Sequence, residues 1–172
     1  MNQNNLIDSL TVVIAALSDH AAFADCLDAL RNWPVRLIIV SKKSANIEKM
    51  IRDEGCEWVQ DDSPCSLSLW EKGLECSATS WNLLIRSNEV VSGHLKKNIE
   101  KKILGPCLTS VLYLPRLKII FLKKVLKHPL SWSGEPPSGL LYNTSSNPNL
   151  ISIKKESLEG ELICLRDASV SI

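Results

Sequence analysis

An apolar run, Trp81-Asn82-Leu83-Leu84-Ile85, opens into the polar stretch Arg86-Ser87-Asn88-Glu89, and a helix start follows at Ser92. In an open α/β sheet a ligand binds beyond the carboxyl end of such a strand. A second cationic group falls at a comparable place, since Arg36-Leu37-Ile38-Ile39-Val40 is followed by Ser41-Lys42-Lys43-Ser44. If both runs are parallel strands, Lys42, Lys43 and Arg86 border one crevice, where fixed cations clamp a phosphate or stabilise a diphosphate leaving group. The ordinary account, solvated charges without a role, stands ahead of that one.

The acids and rings divide in the same way. Glu89 suits a lone metal ligand, but better a negative charge near the start of the next helix, where it meets the helix dipole. Asp61-Asp62 offers an acidic pair, although aspartate beside Pro64 is ordinary turn chemistry. Glu156 has the chemistry of a general base for a hydroxyl proton, and is also one acid in the exposed run Lys154-Lys155-Glu156. Trp81, at a strand start, reads as core, whereas Trp132 in a loop-rich region is the better ring to face a ligand. Neither Ser-His-Asp nor Cys-His catalysis has support, because His20 and His94 read as surface residues beside helix starts.

The chain has 172 residues, enough for one domain that buries roughly 70% of its unfolded surface. Twenty basic and 19 acidic side chains leave a formal charge of +1, so no overall field draws in nucleic acid. Six cysteines are scattered without a C-x-x-C pair, which fits a reducing cytoplasm, and the three histidines lack zinc-ligand spacing. Met1 to Asn5 has no signal-peptide character, and no apolar run reaches the ~18 residues of a membrane span. Residues 112–127, where lysines and Arg116 punctuate leucine and isoleucine, resemble a basic amphipathic segment for a membrane surface. A helix packed on the sheet with its lysines in water is the preferred account of that segment.

The elements that must position these groups alternate. Leu10–Ala16 is a strand, followed by a helix through Ala22, Cys26, Leu27 and Leu30 that Trp33-Pro34 ends. Arg36–Val40 is the second strand, and Ser44 caps a helix to about Glu54, with Gly55 beyond it. Cys56–Gln60 is a short third strand, Ser66 to Cys76 a helix, Trp81–Ile85 a fourth strand, and Ser92 caps a helix to about Ile103. This order predicts a mostly parallel sheet covered on both faces. Past Gly105-Pro106, loop residues thicken between Pro129 and Pro148, leaving short strand-like pieces at Gly139–Asn143 and Asn149–Ile153.

Several passages resemble the inverting family-2 glycosyltransferases of GT-A type, most of all small bacterial enzymes that extend lipopolysaccharide core. Leu10–Ala16 matches the family's first strand, Cys26-Leu27-Asp28-Ala29-Leu30 its C-L-E-S-L helix, and Gly73-Leu74-Glu75 with Trp81 its A-L-E-x-A-x-x-x-W passage. Glu89-Val90-Val91-Ser92-Gly93-His94-Leu95 matches E-x-V-S-P-E-L, Tyr113-Leu114-Pro115-Arg116 resembles Y-x-x-P-R, and Glu156-Ser157-Leu158-Glu159 resembles H-E-x-L-E. The resemblance implies a Rossmann-like GT-A domain, with residues 1–104 as its nucleotide-sugar half and 105–172 as a shortened, irregular acceptor-side half. It places Ala16, Ser41, Lys42, Lys43, Arg86 and Asn88 at the nucleotide, Glu89 at a metal, Glu156 at the acceptor proton and Trp132 on the acceptor side.

This chain departs from the family at its acids. The family's D-D-G-S is Ser41-Lys42-Lys43-Ser44 here, and its D-x-D-E is Arg86-Ser87-Asn88-Glu89, so the Mg²⁺ or Mn²⁺ of the family lacks most of its ligands and no cofactor is expected. The implied activity is sugar transfer from a nucleotide-sugar to a cell-envelope glycan or lipid-linked acceptor, weakened or lost. The implied location is the cytoplasm, with peripheral contact to the plasma membrane through 112–127. The alternative is a non-catalytic module that binds a partner enzyme or a membrane surface.

Overall fold

The computed structural model describes residues 8–17, 21–52, 54–105, 111–121, 123–125, 139–144 and 154–166. In chain order these form β1 (Leu10–Ala16), α1 (Ala21–Leu30), β2 (Arg36–Ser41), α2 (Ala45–Ile51), β3 (Glu57–Gln60), α3 (Ser66–Cys76), β4 (Trp81–Arg86) and β5 (Glu89–Val91). Then come α4 (Gly93–Leu104), β6 (Val111–Phe121), β7 (Lys124–Val125), β8 (Leu140–Asn143) and β9 (Lys154–Arg166). All strands join one nine-stranded sheet in the order β3-β2-β1-β4-β8-β6-β9-β5, with β7 paired to β6.

The first four strands of that order are parallel, β1 lying between β2 and β4. Every residue of β1 is buried, which explains its unbroken apolar run: a strand covered on both faces has no polar side. Its alternate residues serve two cores. Val12, Ile14 and Ala16 pack with Phe23, Cys26 and Leu27 of α1, Ile47 and Ile51 of α2, and Leu95 and Ile99 of α4. Val13 and Ala15 pack with Ile38, Val40, Leu84 and Leu140 against Leu69 and Trp70 of α3.

Local chemistry sets the helix boundaries. The Ser44 and Ser92 hydroxyls accept from the backbone N–H of Ile47 (3.4 Å) and Leu95 (3.2 Å), capping α2 and α4. Gly73 brings α3 close to the sheet, because a Cβ there would lie 2.3 Å from Val13 Cγ1.

Residues 112–127 correct the expectation of a helix. Val111–Phe121 is strand β6, which pairs in parallel with β9 from Val111↔Lys154 to Phe121↔Arg166. The reason is visible in Arg116-Leu117-Lys118-Ile119, which alternates with period two, and in Pro115, which a helix interior does not accommodate. The register slips between Pro115 and Arg116, whose partners are Leu158 and Glu161, so β9 bulges there. Gly160 within the bulge has φ 118, and a Cβ on it would lie 2.5 Å from Leu95 Cα of α4.

The strand expected at Gly139–Asn143 is β8, antiparallel to β4. The sequence reading missed β5 and β9 altogether; Glu89↔Cys164 and Val91↔Leu162 join the two in antiparallel pairing. Residues 149–153, His20, His128 and Trp132 lie outside the described residues.

Candidate functional site

Parallel register brings the carboxyl ends of β1, β2 and β4 to one edge. Ala16 lies opposite Ser41, and Ala15 opposite Arg86. The turn after β4 is tied to the same place, since the Ser87 N–H donates to the Ala15 carbonyl at 3.1 Å. Ala16, Ser41, Lys42, Lys43, Arg86 and Asn88, scattered over more than 70 positions, therefore share one end of the sheet.

Their roles at that edge differ. Ser41 is fully buried: its hydroxyl accepts from the Trp58 indole N–H (2.9 Å) and donates to the Lys42 carbonyl (3.0 Å). Its carbonyl accepts the Asp61 N–H at 2.9 Å, so Ser41 binds the end of β2 to that of β3. Lys42 and Lys43 are exposed. The Asn88 amide donates to the Leu165 carbonyl (3.2 Å) and the Asn88 carbonyl accepts the Leu165 N–H (2.8 Å), docking the turn on β9.

Arg86 is the most constrained cation of the group. Its guanidinium lies 5.1 Å from the centroid of the Trp70 ring, its Nε donates to Ser66 Oγ (3.2 Å), and Nη1 meets Glu89 Oε1 at 3.3 Å. Trp70 is itself fixed, wholly buried with its indole N–H on the Ile85 carbonyl (2.8 Å). Glu89 Oε2 accepts the Arg86 backbone N–H at 2.7 Å. Beneath them the buried Cys26 thiol faces the Arg86 carbonyl at 3.9 Å; burial, and then the Glu89 carboxylate, push its pKa up, so it remains a neutral thiol.

Asp61 is used locally: Oδ1 accepts the Ser63 N–H (2.8 Å), and the Ser63 hydroxyl and N–H hold its carboxyl below the usual carboxylate range. Trp81 is core, as its position at a strand start suggests. His94 is exposed. Glu156 lies on β9 opposite Tyr113, and its side chain is outside the described part of the molecule. Sequence reasoning missed the supports of Arg86. The Arg86/Glu89 spacing of three was there to be read, but nothing local links either residue to Ser66 or Trp70.

The fold matches solved structures. Glucosyl-3-phosphoglycerate synthase from Mycobacterium tuberculosis, in complex with Mn²⁺, uridine diphosphate and phosphoglyceric acid, is 16% identical with a TM-score of 0.52, over 64% of this chain and 43% of that one. The S. aureus TarS 1–349 fragment in complex with UDP-GlcNAc is 13% identical with a TM-score of 0.52, over 69% of this chain and 37% of that one. A Mg²⁺ and uridine diphosphate complex of the mycobacterial synthase is 15% identical with a TM-score of 0.52, over 68% and 48%. No family model and no curated protein matches the sequence. At these identities the likeness shows the fold, that of GT-A-type glycosyltransferases; the chain spans less than half the length of these three structures.

These structures correct the expectation of no cofactor as far as the fold is concerned, because the mycobacterial synthase is crystallised in complex with Mn²⁺ or Mg²⁺ and uridine diphosphate. The donor set at β4 of this chain is Arg86, Ser87, Asn88 and Glu89, and both Glu89 oxygens accept from Arg86. Among the described residues no group of three or more His, Cys, Asp or Glu is placed to hold a metal ion. These residues do not fit a hard cation, which takes carboxylate oxygens. No helix among them is long and apolar enough to cross a membrane.

Proposed function

We propose that the chain is a family-2-like glycosyltransferase domain that takes the diphosphate of a nucleotide-sugar at the joined ends of β1, β2 and β4. The observation that carries this reading is the register that sets Arg86 beside Ala15 and Ser41 beside Ala16, in a fold shared with proteins crystallised with uridine diphosphate or UDP-GlcNAc. Lys42, Lys43 and Arg86 supply positive charge to the phosphates, while the buried Ala16 and Ser41 underlie that place and Asn88 fixes the turn beside it. Glu156 is the proposed base toward an acceptor hydroxyl, and Trp132 the proposed acceptor-side ring. A cell-envelope glycan or lipid-linked acceptor, approached from the cytoplasmic face of the membrane, fits this reading.

Transfer by this chain is proposed to be weak or lost. The second reading, a non-catalytic module that keeps the fold to bind a partner enzyme or membrane surface, is favoured by the commitment of Glu89 to Arg86. Titration calorimetry with uridine diphosphate, with and without manganese, tests the binding. Arg86→Ala is expected to weaken it at least tenfold, the loss of one charge-assisted contact. Absence of heat from the native protein under both conditions removes the nucleotide reading. Sugar-nucleotide turnover, measured with manganese and with chelator, separates the enzyme from the module.

A further inference from the structure

The Glu89 carboxylate is too deep to meet a ligand, its side chain being 1% exposed, whereas that of Arg86 is 16% exposed. Each of its oxygens accepts from the same residue, Oε2 from the Arg86 backbone N–H and Oε1 from the Arg86 guanidinium. One bond closes the turn from Arg86 to Glu89, and the other aims the side chain across Trp70 toward Ser66. We propose that Glu89 is a positioning residue that holds Arg86 at the mouth of the crevice and, as its internal counter-ion, sets how strongly that crevice takes a phosphate-bearing ligand.

The inference rests on the reading that the crevice binds a nucleoside diphosphate. A phosphate that approaches Arg86 meets a guanidinium whose charge a buried carboxylate already offsets, and it is repelled by that carboxylate through poorly screening protein. Of the described groups at this edge, Lys42 and Lys43 are exposed to solvent, and the Cys26 thiol beneath is neutral. Glu89 thus performs two separable jobs, a brace and a brake. A brace needs only an acceptor oxygen, while a brake needs the negative charge.

Glu89→Gln separates them: its amide oxygen can still accept the Arg86 backbone N–H and close the turn, while the charge and the second acceptor oxygen are gone and the guanidinium keeps Ser66 and the Trp70 ring. Uridine diphosphate is the probe, titrated with and without manganese into native protein and variant of equal circular dichroism. The expected result is binding roughly tenfold tighter in the variant, as a full charge removed within a few ångströms implies, with a steeper dependence on salt. Set against Arg86→Gln alone, the double variant Arg86→Gln/Glu89→Gln is expected to gain less than Glu89→Gln gains over the native protein, which shows that part of the effect passes through Arg86.

Native binding with unchanged or weaker binding by Glu89→Gln overturns the inference and leaves the nucleotide reading in place. Absence of binding by both proteins overturns the two together. Should Glu89→Gln not fold, Glu89→Asp draws the charge back by one methylene and is expected to tighten binding about two- to threefold; no tightening overturns the inference.

Discussion

The two ends of the parallel strands carry opposite chemistry. At the amino end, neutral groups satisfy one another: Thr11 and Thr79 hydroxyls meet at 2.7 Å, Ser77 donates to Asn82 Oδ1 at 2.6 Å, and Thr79 donates to the Trp81 carbonyl at 2.9 Å. At the carboxyl end stand Arg86 and Glu89, with Lys42 and Lys43 exposed beside them. Among the described residues no buried side-chain N or O lacks a hydrogen-bond partner, so both ends are satisfied. They differ in what satisfies them. A neutral network lowers the energy of one fold, whereas a partly exposed ion pair also leaves a field outside the protein.

The largest break in that contrast is expected from Trp70→Ala. It removes a fully buried ring from the core under α3 and the surface on which Arg86 lies. A loss of about 3–5 kcal/mol in urea unfolding is expected, together with weaker binding of uridine diphosphate. Stability loss with binding intact would detach the carboxyl end from the core that supports it.

Thr79→Val sharpens the contrast from the other side. It leaves the Thr11 hydroxyl without that partner in a buried place, and should cost about 1–3 kcal/mol in the same unfolding experiment. Nucleotide affinity should not change, because the amino end lies a strand's length away. A changed affinity would mean that the two ends are coupled through β1 and β4.

The smallest effect concerns Asp61 and is read as a pH dependence. Its folded pKa is depressed by the bonds from Ser63, so their contribution is complete above the unfolded value of about 4 and is lost as pH falls through the lower folded value. Stability curves of native protein and Asp61→Asn should therefore differ slightly near neutrality and converge in acid. A difference that persists in acid would assign the effect to something other than the carboxylate.

How much could be read in advance follows from how far each signal reaches along the chain. The bounds of α3 at Ser66 and Cys76 match the sequence reading, as do the caps at Ser44 and Ser92 and the burial of β1, because capping, periodicity and an unbroken apolar run act within a few residues. The shared edge of Ala16, Ser41 and Arg86 was legible too, since alternating strands and helices force parallel strands with their carboxyl ends together. Beyond Gly105 local signals served only in part: β8 falls within the expected Gly139–Asn143, but the alternation at Arg116–Ile119 was passed over, and the pairing of β6 with β9, some forty residues later, with Pro115 accommodated where the register slips, has no local signal.

The same division runs through the site. Residue types and their places at strand ends were present in the sequence by itself, including the arginine at the end of the fourth strand. Only the tertiary structure decided that Arg86 lies over Trp70, that Ser41 turns inward to Trp58, and that Glu89 answers Arg86 from within the core. Those pairings join segments whose approach depends on packing of the whole sheet, and a side chain's burial and partners are properties of that packing rather than of its neighbours in sequence.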